Sequence, residues 1–160
     1  MGEKVYVGGG DTDGDHDRHH VFQYNTSTDL WSRLPPHPKV MFAMAQFRQN
    51  LITVGGESAK GGIDITGKVY HFKEESEEWE EFLKPMPTAR WAHTIATTQS
   101  AIIASGGAVS VRNGKVVPCA TVEVYHSETS QWYTADSLPA PYFAMSSVTI
   151  ADTCYLLWGR

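Results

Sequence analysis

The sequence predicts an all-β fold made of repeated sheets with four antiparallel strands each. Three observations predict it: short β-branched strands run into glycine pairs, each is followed by an aromatic residue with a tryptophan seven positions later, and no segment keeps a helical period. The repeated residues are the pairs Gly9-Gly10, Gly55-Gly56 and Gly106-Gly107, and then Tyr24 with Trp31, Phe72 with Trp79, and Tyr125 with Trp132. The chain is therefore an array of similar units.

The spacing of the units indicates which repeat architecture they form. Trp31 and Trp79 are 48 residues apart, and Trp79 and Trp132 are 53 residues apart. A period of about 50 residues is typical of β-propeller blades, whereas most helical solenoids have shorter repeats. The predicted repeats are residues 3–40, 41–89 and 90–141, with a partial fourth repeat at 142–160.

The second, third and fourth strands of each blade follow from β-branched runs and turn residues. The second strands are predicted at residues 4–7, 51–54, 101–104 and 154–157, each beside its glycine turn. The third strands are predicted at residues 21–24, 69–72 and 122–125. Polar turns then lead each third strand into the tryptophan strand. Glycine suits the end of the second strand because a residue without Cβ adopts positive φ easily.

A proline-containing segment follows each tryptophan and carries the chain into the next blade. Its frame is x-Pro-x-x-x-aromatic-Ala-x, at residues 37–44, 86–93 and 138–145. The frame matches Met41 and Tyr142 with Arg90, and Met44 and Met145 with His93. The first strands are predicted at residues 42–45, 92–95 and 144–147, where small side chains suit a crowded centre.

The number of predicted strands does not complete a ring. Residues 41–83 and 90–135 each supply four strands, whereas 3–33 supply the last three strands of a blade and 142–159 the first two. A closed propeller has at least four blades. We therefore expect a partial propeller, and favour either a piece of a longer chain or an open arc of blades. A homodimer that completes the ring, with the strand at Tyr142 entering the partner's first blade, is the alternative.

Composition and charge exclude several classes of partner. The 160 residues carry a net charge of −5, and no block of Lys or Arg is present to neutralise phosphates. No apolar run approaches the roughly 20 residues that cross a bilayer. We therefore expect a protein partner, no nucleic acid and no membrane, in a cytoplasmic setting. Cys119 and Cys154 lie in different repeats and are expected to be free thiols.

The glycine, aromatic and tryptophan frame, with Met86 to Arg90 before the next strand, resembles the kelch repeat over essentially the whole chain. The middle copy is the most faithful, with Gly55-Gly56, Phe72 and Trp79. The resemblance implies kelch-type β-propeller blades of four antiparallel strands whose first strands line a central channel. By that comparison the chain holds about three of an expected six blades. The resemblance also implies a structural role for Arg90, which would tie one blade to the next.

One cluster of side chains has the composition of a metal site. Residues 11–20 contain four carboxylates and three imidazoles. An EF-hand needs glycine at the sixth position and glutamate at the twelfth, and these positions hold His16 and Phe22. Long polar loops between propeller strands are usually solvated, so we predict neither a metal site nor a cofactor. No nucleophile with a base or phosphate loop is recognisable, so an enzyme is not predicted.

The sequence therefore predicts a non-catalytic protein-interaction module. Three long loops join second to third strands, at residues 11–20, 57–67 and 108–119. Rigid blades hold such loops on one side. Their cationic side chains are Arg18, Lys60, Arg112 and Lys115, and the hypothesis is that an acidic peptide docks on the second and third loops.

The kelch resemblance implies two settings for such a module, substrate recognition in a ubiquitin-ligase adaptor or an actin-associated scaffold. The alternative from another class is a metal-binding or enzymatic propeller of the oxidase or sugar-modifying kind. The acidic run at residues 74–81 is expected to be a solvated hairpin.

Overall fold

The computed structural model describes residues 3–9, 18–58 and 64–157, which form fifteen strands and no helix. Blade 1 contains β1 (Lys4–Gly8), β2 (Val21–Asn25) and β3 (Leu30–Arg33). Blade 2 contains β4 (Ala43–Phe47), β5 (Asn50–Val54), β6 (Val69–Lys73) and β7 (Glu78–Glu81). Blade 3 begins with β8 (Thr94–Thr97) and β9 (Ala101–Ser105), continues through a separate hairpin of β10 (Ala108–Arg112) and β11 (Lys115–Pro118), and ends with β12 (Val122–His126) and β13 (Gln131–Ala135). Blade 4 contains β14 (Ser146–Ile150) and β15 (Thr153–Leu157).

The sheet topology confirms the predicted fold class. Blades 2 and 3 are four-stranded antiparallel sheets, in the orders β4-β5-β6-β7 and β8-β9-β12-β13. Blade 1 has three described strands and blade 4 has two. The chain is therefore a partial propeller, while a total of six blades stays a prediction. No helix in the described ranges is long and apolar enough to cross a membrane.

The seven-residue spacing between each aromatic residue and its tryptophan follows from the hairpin register. Tyr24 lies directly opposite Trp31, and the pairs Phe72 with Trp79 and Tyr125 with Trp132 have the same register. The ring centroids are 5.0, 5.3 and 5.5 Å apart in the three pairs. Cross-strand aromatic pairs of this kind stabilise a sheet and fix its register. The spacing is therefore a packing requirement, repeated in each blade.

The first strands of successive blades lie side by side. Thr97 Oγ1 of β8 donates to Gln46 O of β4 at 2.7 Å, and the hydroxyls of Thr94 and Ser147 are 2.7 Å apart between β8 and β14. These strands begin one or two residues later than the sequence predicted, at Ala43, Thr94 and Ser146. Small and hydroxylated side chains at this position allow the blades to converge.

Two apolar clusters hold the blades face to face. The cluster between blades 1 and 2 is centred on Val21, Leu34, Phe42 and Leu51. The cluster between blades 2 and 3 contains Ile52, Val54, Val69, Ile95, Ile102 and Tyr125, with others. Each sheet thus buries its apolar face against the next sheet, the arrangement by which repeat proteins build a continuous core.

The strand register identifies the glycine of blade 1 that matches those of blades 2 and 3. Gly8 lies opposite Val21, as Val54 lies opposite Val69 and Ser105 lies opposite Val122. Gly9 therefore takes the place of Gly55 and Gly106, and all three have positive φ, at 81°, 67° and 62°. Gly10, the second residue of this pair, lies outside the described residues.

The structure corrects the proline-containing frame. Ala92 N donates to Met41 O at 3.0 Å, Ala144 N donates to Ala92 O at 2.8 Å, and all three residues have φ near 50°. Met41 therefore matches Ala92, and Lys39, two residues earlier, takes the place of Arg90. Counting forward, Phe42 and Met145 match His93, whereas the sequence frame had matched it with Met44. An extra proline in the first copy misled the alignment.

Candidate protein-interaction surface

Two sides of the blades carry different connections. Links between second and third strands lie at the same edge as the linkers that enter each blade, because the strands are antiparallel. Two isolated bridges join these segments, Val40 with Glu57 and Trp91 with Ala108. We call this side the linker face, comprising residues 34–42, 57–58, 64–68, 85–93 and 106–121. The opposite side, with the tight turns at 48–49, 74–77, 98–100 and 127–130, is the turn face.

The connection at residues 108–119 is an ordered hairpin on the linker face, where the sequence had predicted a loop. β10 pairs with β11 around the two-residue turn Asn113-Gly114, whose φ values are 51° and 72°. These values fit a type I′ turn, for which Asn-Gly is the preferred sequence. The same dipeptide between two valine-rich runs was therefore the signal that sequence analysis missed.

The base of this hairpin is fixed to the linker. Trp91 N donates to Ala108 O at 3.0 Å, and Ala108 N donates to Trp91 O at 2.8 Å. Ala108 and Trp91 are both buried. The hairpin therefore projects from a fixed point on blade 3.

The tip of the hairpin carries two cations that face each other. Arg112 lies directly opposite Lys115 across the strand pair, and both side chains are exposed. Neither forms an ion pair with another residue of the described ranges. Val111, beside them, is 47% exposed. The tip therefore combines positive charge with apolar surface.

The other cationic residues predicted for this surface are placed differently. Arg18 is partly buried at the start of its described segment, and Lys60 lies outside the described residues. The Lys39 ammonium, in the linker into blade 2, forms an ion pair with Asp64 of the second loop, and this contact lowers the pKa of the Asp64 carboxyl. Positive charge at Lys39 is thus already neutralised. Only Arg112 and Lys115 are brought together by the described structure.

The linker into blade 3 is held by a buried ion pair. Arg90 and Glu123 are 0% and 1% exposed, and Arg90 Nη2 lies 3.0 Å from Glu123 Oε2. Arg90 also donates to the carbonyls of Thr121 and Ala104, each at 3.2 Å. Thr88 donates to the same carboxylate through its backbone N–H and its hydroxyl, at 3.1 and 2.9 Å. These bonds hold the segment that precedes Trp91.

Arg90 also contacts blade 2 through its backbone, because Gly56 N donates to Arg90 O at 2.9 Å. The residue therefore joins blade 2, through its main chain, to blade 3, through its side chain. Sequence analysis did not single out Glu123. Its only signal is a carboxylate between Val122 and Val124 in a strand whose alternate side chains are buried.

His93 lines a pocket of about 400 Å³ between the starts of the first strands, together with Phe42 and Met145. Burial, aided by the nearby Arg90 charge, lowers the pKa of His93 to about 3, so the ring is neutral. Neither ring nitrogen has a hydrogen-bond partner in the described structure. A base in catalysis needs a proton within hydrogen-bond reach and a pKa near the working pH. The pKa of about 3 makes the His93 ring a weak base near neutral pH.

In the described parts of the chain, no three His, Cys, Asp or Glu side chains lie close enough together to hold a metal ion. Most of the acidic and histidine cluster at residues 11–20 lies outside these parts. Cys119 and Cys154 are free cysteines. Cys119 Sγ lies 3.3 Å from Gly106 O and 4.0 Å from Arg90 Nη1, so it packs against the ion-pair junction.

Several proteins of known sequence resemble the chain, although no family model matches it. Kelch-like protein terF of Aspergillus terreus is 28% identical over 127 residues, which cover 78% of this chain and 27% of the relative. Alpha-scruin of Limulus polyphemus is 25% identical over 87% of this chain and 15% of its own length. Kelch-like protein 34 of Homo sapiens is 26% identical over 99% of this chain and 24% of its own length. The chain thus spans roughly a quarter or less of these relatives.

A solved structure supports the fold. The structure of YjhT superposes with a TM-score of 0.75 at 15% identity, over 98% of this chain and 55% of that chain. The blades described above and this likeness show that the fold is a partial β-propeller. The repeated glycine, aromatic and tryptophan residues and the kelch-like relatives together support the resemblance to the kelch repeat.

Proposed function

We propose that the chain is a non-catalytic protein-interaction module that binds an acidic segment of its partner at the tip of β10–β11. The observation that carries this proposal is the pair Arg112 and Lys115, exposed and opposite each other without a described counter-ion. Like charges directly opposite in a sheet are destabilising. A carboxylate placed between them removes that repulsion.

The surroundings of the pair favour a protein partner. The whole chain has a net charge of −5, so the tip is a local positive site on an acidic molecule, and a polyanion such as nucleic acid would be repelled elsewhere. Trp91 fixes the base of the hairpin, which reduces the conformational entropy lost on binding. Val111 adds apolar contact next to the charges.

The kelch family supports an interaction role in general. Adaptor function in a ubiquitin ligase and an actin-associated scaffold are the two settings that we propose for it. The homodimer and the cytoplasmic setting stay predictions.

A charge-reversal experiment tests the proposal. The probe is a fluorescent ten-residue peptide that alternates glutamate with valine or threonine, titrated at low salt. The double variant Arg112→Glu/Lys115→Glu is expected to weaken binding at least about tenfold, because attraction becomes repulsion. The matched control, Arg48→Glu/Lys73→Glu, makes the same charge change on the turn-face side and is expected to leave the affinity within about twofold.

Equal loss in both double variants would mean that only net charge matters, and would overturn the assigned site. Unchanged binding in the hairpin variant would overturn it as well. Near-UV circular dichroism of both variants verifies that the tryptophan packing is intact.

A further inference from the structure

Among the described residues, no strand pairs with the outer edge of β10 beyond its base. Trp91 pairs with Ala108 at the start of the strand, and the linker then leaves toward β8. From Val109 to Arg112, the only strand that pairs with β10 in the described structure is β11. Exposed strand edges are ready templates for another strand. The bridge at Ala108 shows that this edge accepts one.

The turn defines which backbone groups are free on that edge. Around a two-residue turn the flanking residues, Arg112 and Lys115, form the hydrogen-bonded pair. Because bonding alternates along an antiparallel pair, the backbone N–H and C=O of Val111 point away from β11. Val116, directly opposite Val111, points away from β10 in the same manner. Each edge of the hairpin therefore offers one outward residue near the tip.

The two edges differ in chemistry. β11 ends in Pro118, which has no N–H to donate, and proline is a residue that protects an edge. β10 has no proline, and its side chains alternate between the apolar Val111 and the cationic Arg112. A strand that adds to β10 therefore meets apolar surface on one face and positive charge on the other.

We propose that an extended acidic segment of a protein partner adds to β10 as a third strand, with its backbone bonded to Val111 and a carboxylate beside Arg112 and Lys115. The face alternation defines the segment: acidic residues alternate with β-branched ones. Main-chain hydrogen bonds supply the pairing and the alternate side chains supply the specificity, as in other cases of strand addition. This docking mode rests on the proposed function, because it requires the same acidic partner.

Two proline variants at matched positions test the docking mode. Val111→Pro removes the outward N–H of β10, and Val116→Pro removes the equivalent N–H of β11, while both keep Arg112 and Lys115. With the alternating glutamate peptide described above, Val111→Pro is expected to weaken binding about tenfold, the loss of one or two hydrogen bonds. Val116→Pro is expected to bind as the unchanged protein does.

A peptide variant provides the second measurement, and it leaves the protein unaltered. Proline in place of a central valine of the peptide keeps every carboxylate but prevents pairing as a strand. This peptide is expected to bind about tenfold more weakly than the parent peptide. The result does not depend on whether either protein variant folds.

The outcomes separate the two proposals. If the hairpin charge reversal weakens binding while the proline peptide binds like the parent, the acidic docking stands and strand addition is wrong. If Val116→Pro weakens binding and Val111→Pro does not, the segment pairs with β11, which contradicts the assigned edge. If charge reversal has no effect, the proposed function itself fails.

Discussion

The linkers into blades 2 and 3 occupy the same position of the repeat and are held by different chemistry. In blade 3, Thr88 and Arg90 bind the buried carboxylate of Glu123. In blade 2 the equivalent residues are His37, Lys39 and Tyr70. His37 is 1% exposed and lies against Phe42, Tyr70 and Trp79, with ring centroids 4.2, 5.3 and 4.8 Å away.

The polar atoms of His37 are satisfied without an ion pair. Its Nε2 lies 2.8 Å from Thr53 Oγ1, and its Nδ1 lies 2.9 Å from Lys39 O. Lys39 turns outward to Asp64, whereas Arg90 turns inward to Glu123. All three positions that hold the linker therefore carry different residues in blade 2 and in blade 3. The repeat determines where a linker must be held, and each blade meets that need with its own set of side chains.

Removal of one partner of the ion pair should have the largest effect. Arg90→Met leaves the Glu123 carboxylate buried without its counter-ion, so the free energy of unfolding is expected to fall by about 3–5 kcal/mol. Urea unfolding followed by tryptophan fluorescence measures the change. The double variant Arg90→Met/Glu123→Leu removes both charges and should recover most of the loss. A double variant as unstable as the single one would show that the charge is not the cause.

The linker into blade 2, which is held by the neutral ring of His37, should make the stability of the protein depend on pH. Burial lowers the pKa of His37 to about 4, below its usual 6.5, and His93 titrates at about 3. Protons therefore bind the unfolded chain first, so stability is lost as pH falls below about 6.5. Each histidine should contribute about 2 kcal/mol of loss between pH 7.5 and 5.

The variant His37→Gln sharpens this test, because glutamine can bond Thr53 but does not titrate in this range. Urea midpoints at pH 7.5 and 5 should differ about half as much as in the unchanged protein. An unaltered difference would show that His37 is not a source of the pH dependence.

Substitution of the tryptophans should have the smallest effects on stability. The size of each effect should follow the contacts that the tryptophan makes. Trp132 Nε1 donates to Lys84 O at 2.8 Å and Trp79 Nε1 donates to Pro35 O at 3.0 Å, so each binds the linker into its own blade. Trp31 is 58% exposed. Substitution by phenylalanine is expected to lower the free energy of unfolding by about 1 kcal/mol at Trp79 and Trp132. At Trp31 the loss should stay below about 0.5 kcal/mol. Equal losses at all three sites would contradict this role.

Much of the fold could be predicted because the repeat is a packing rule. The aromatic and tryptophan residues must lie opposite each other, and the second strands must end in glycines with positive φ, so both leave a regular spacing in the sequence. The alignment of the proline-containing linkers with one another was less predictable. Prolines at positions 35, 36 and 38 offered several alignments, and the backbone bond between Met41 and Ala92, with the positive φ of both residues, distinguishes them.

The candidate site was predictable only in part, because its chemistry depends on cross-strand contacts. Arg112 and Lys115 were recognised as charged loop residues, but their direct opposition follows from the Asn113-Gly114 turn. Glu123 lies 33 residues beyond its partner Arg90, so no local spacing connects the two. Long-range pairs of this kind leave no periodic signal.

Hydrogen exchange measured across the whole chain, with and without the alternating glutamate peptide, tests the proposed surface most directly. We predict slower exchange at residues 108–118, centred on the Val111 amide, and unchanged exchange at the turn-face segments 47–50 and 98–101. Protection of those turns, with none at the hairpin, would contradict the claim that this chain binds its partner through β10–β11.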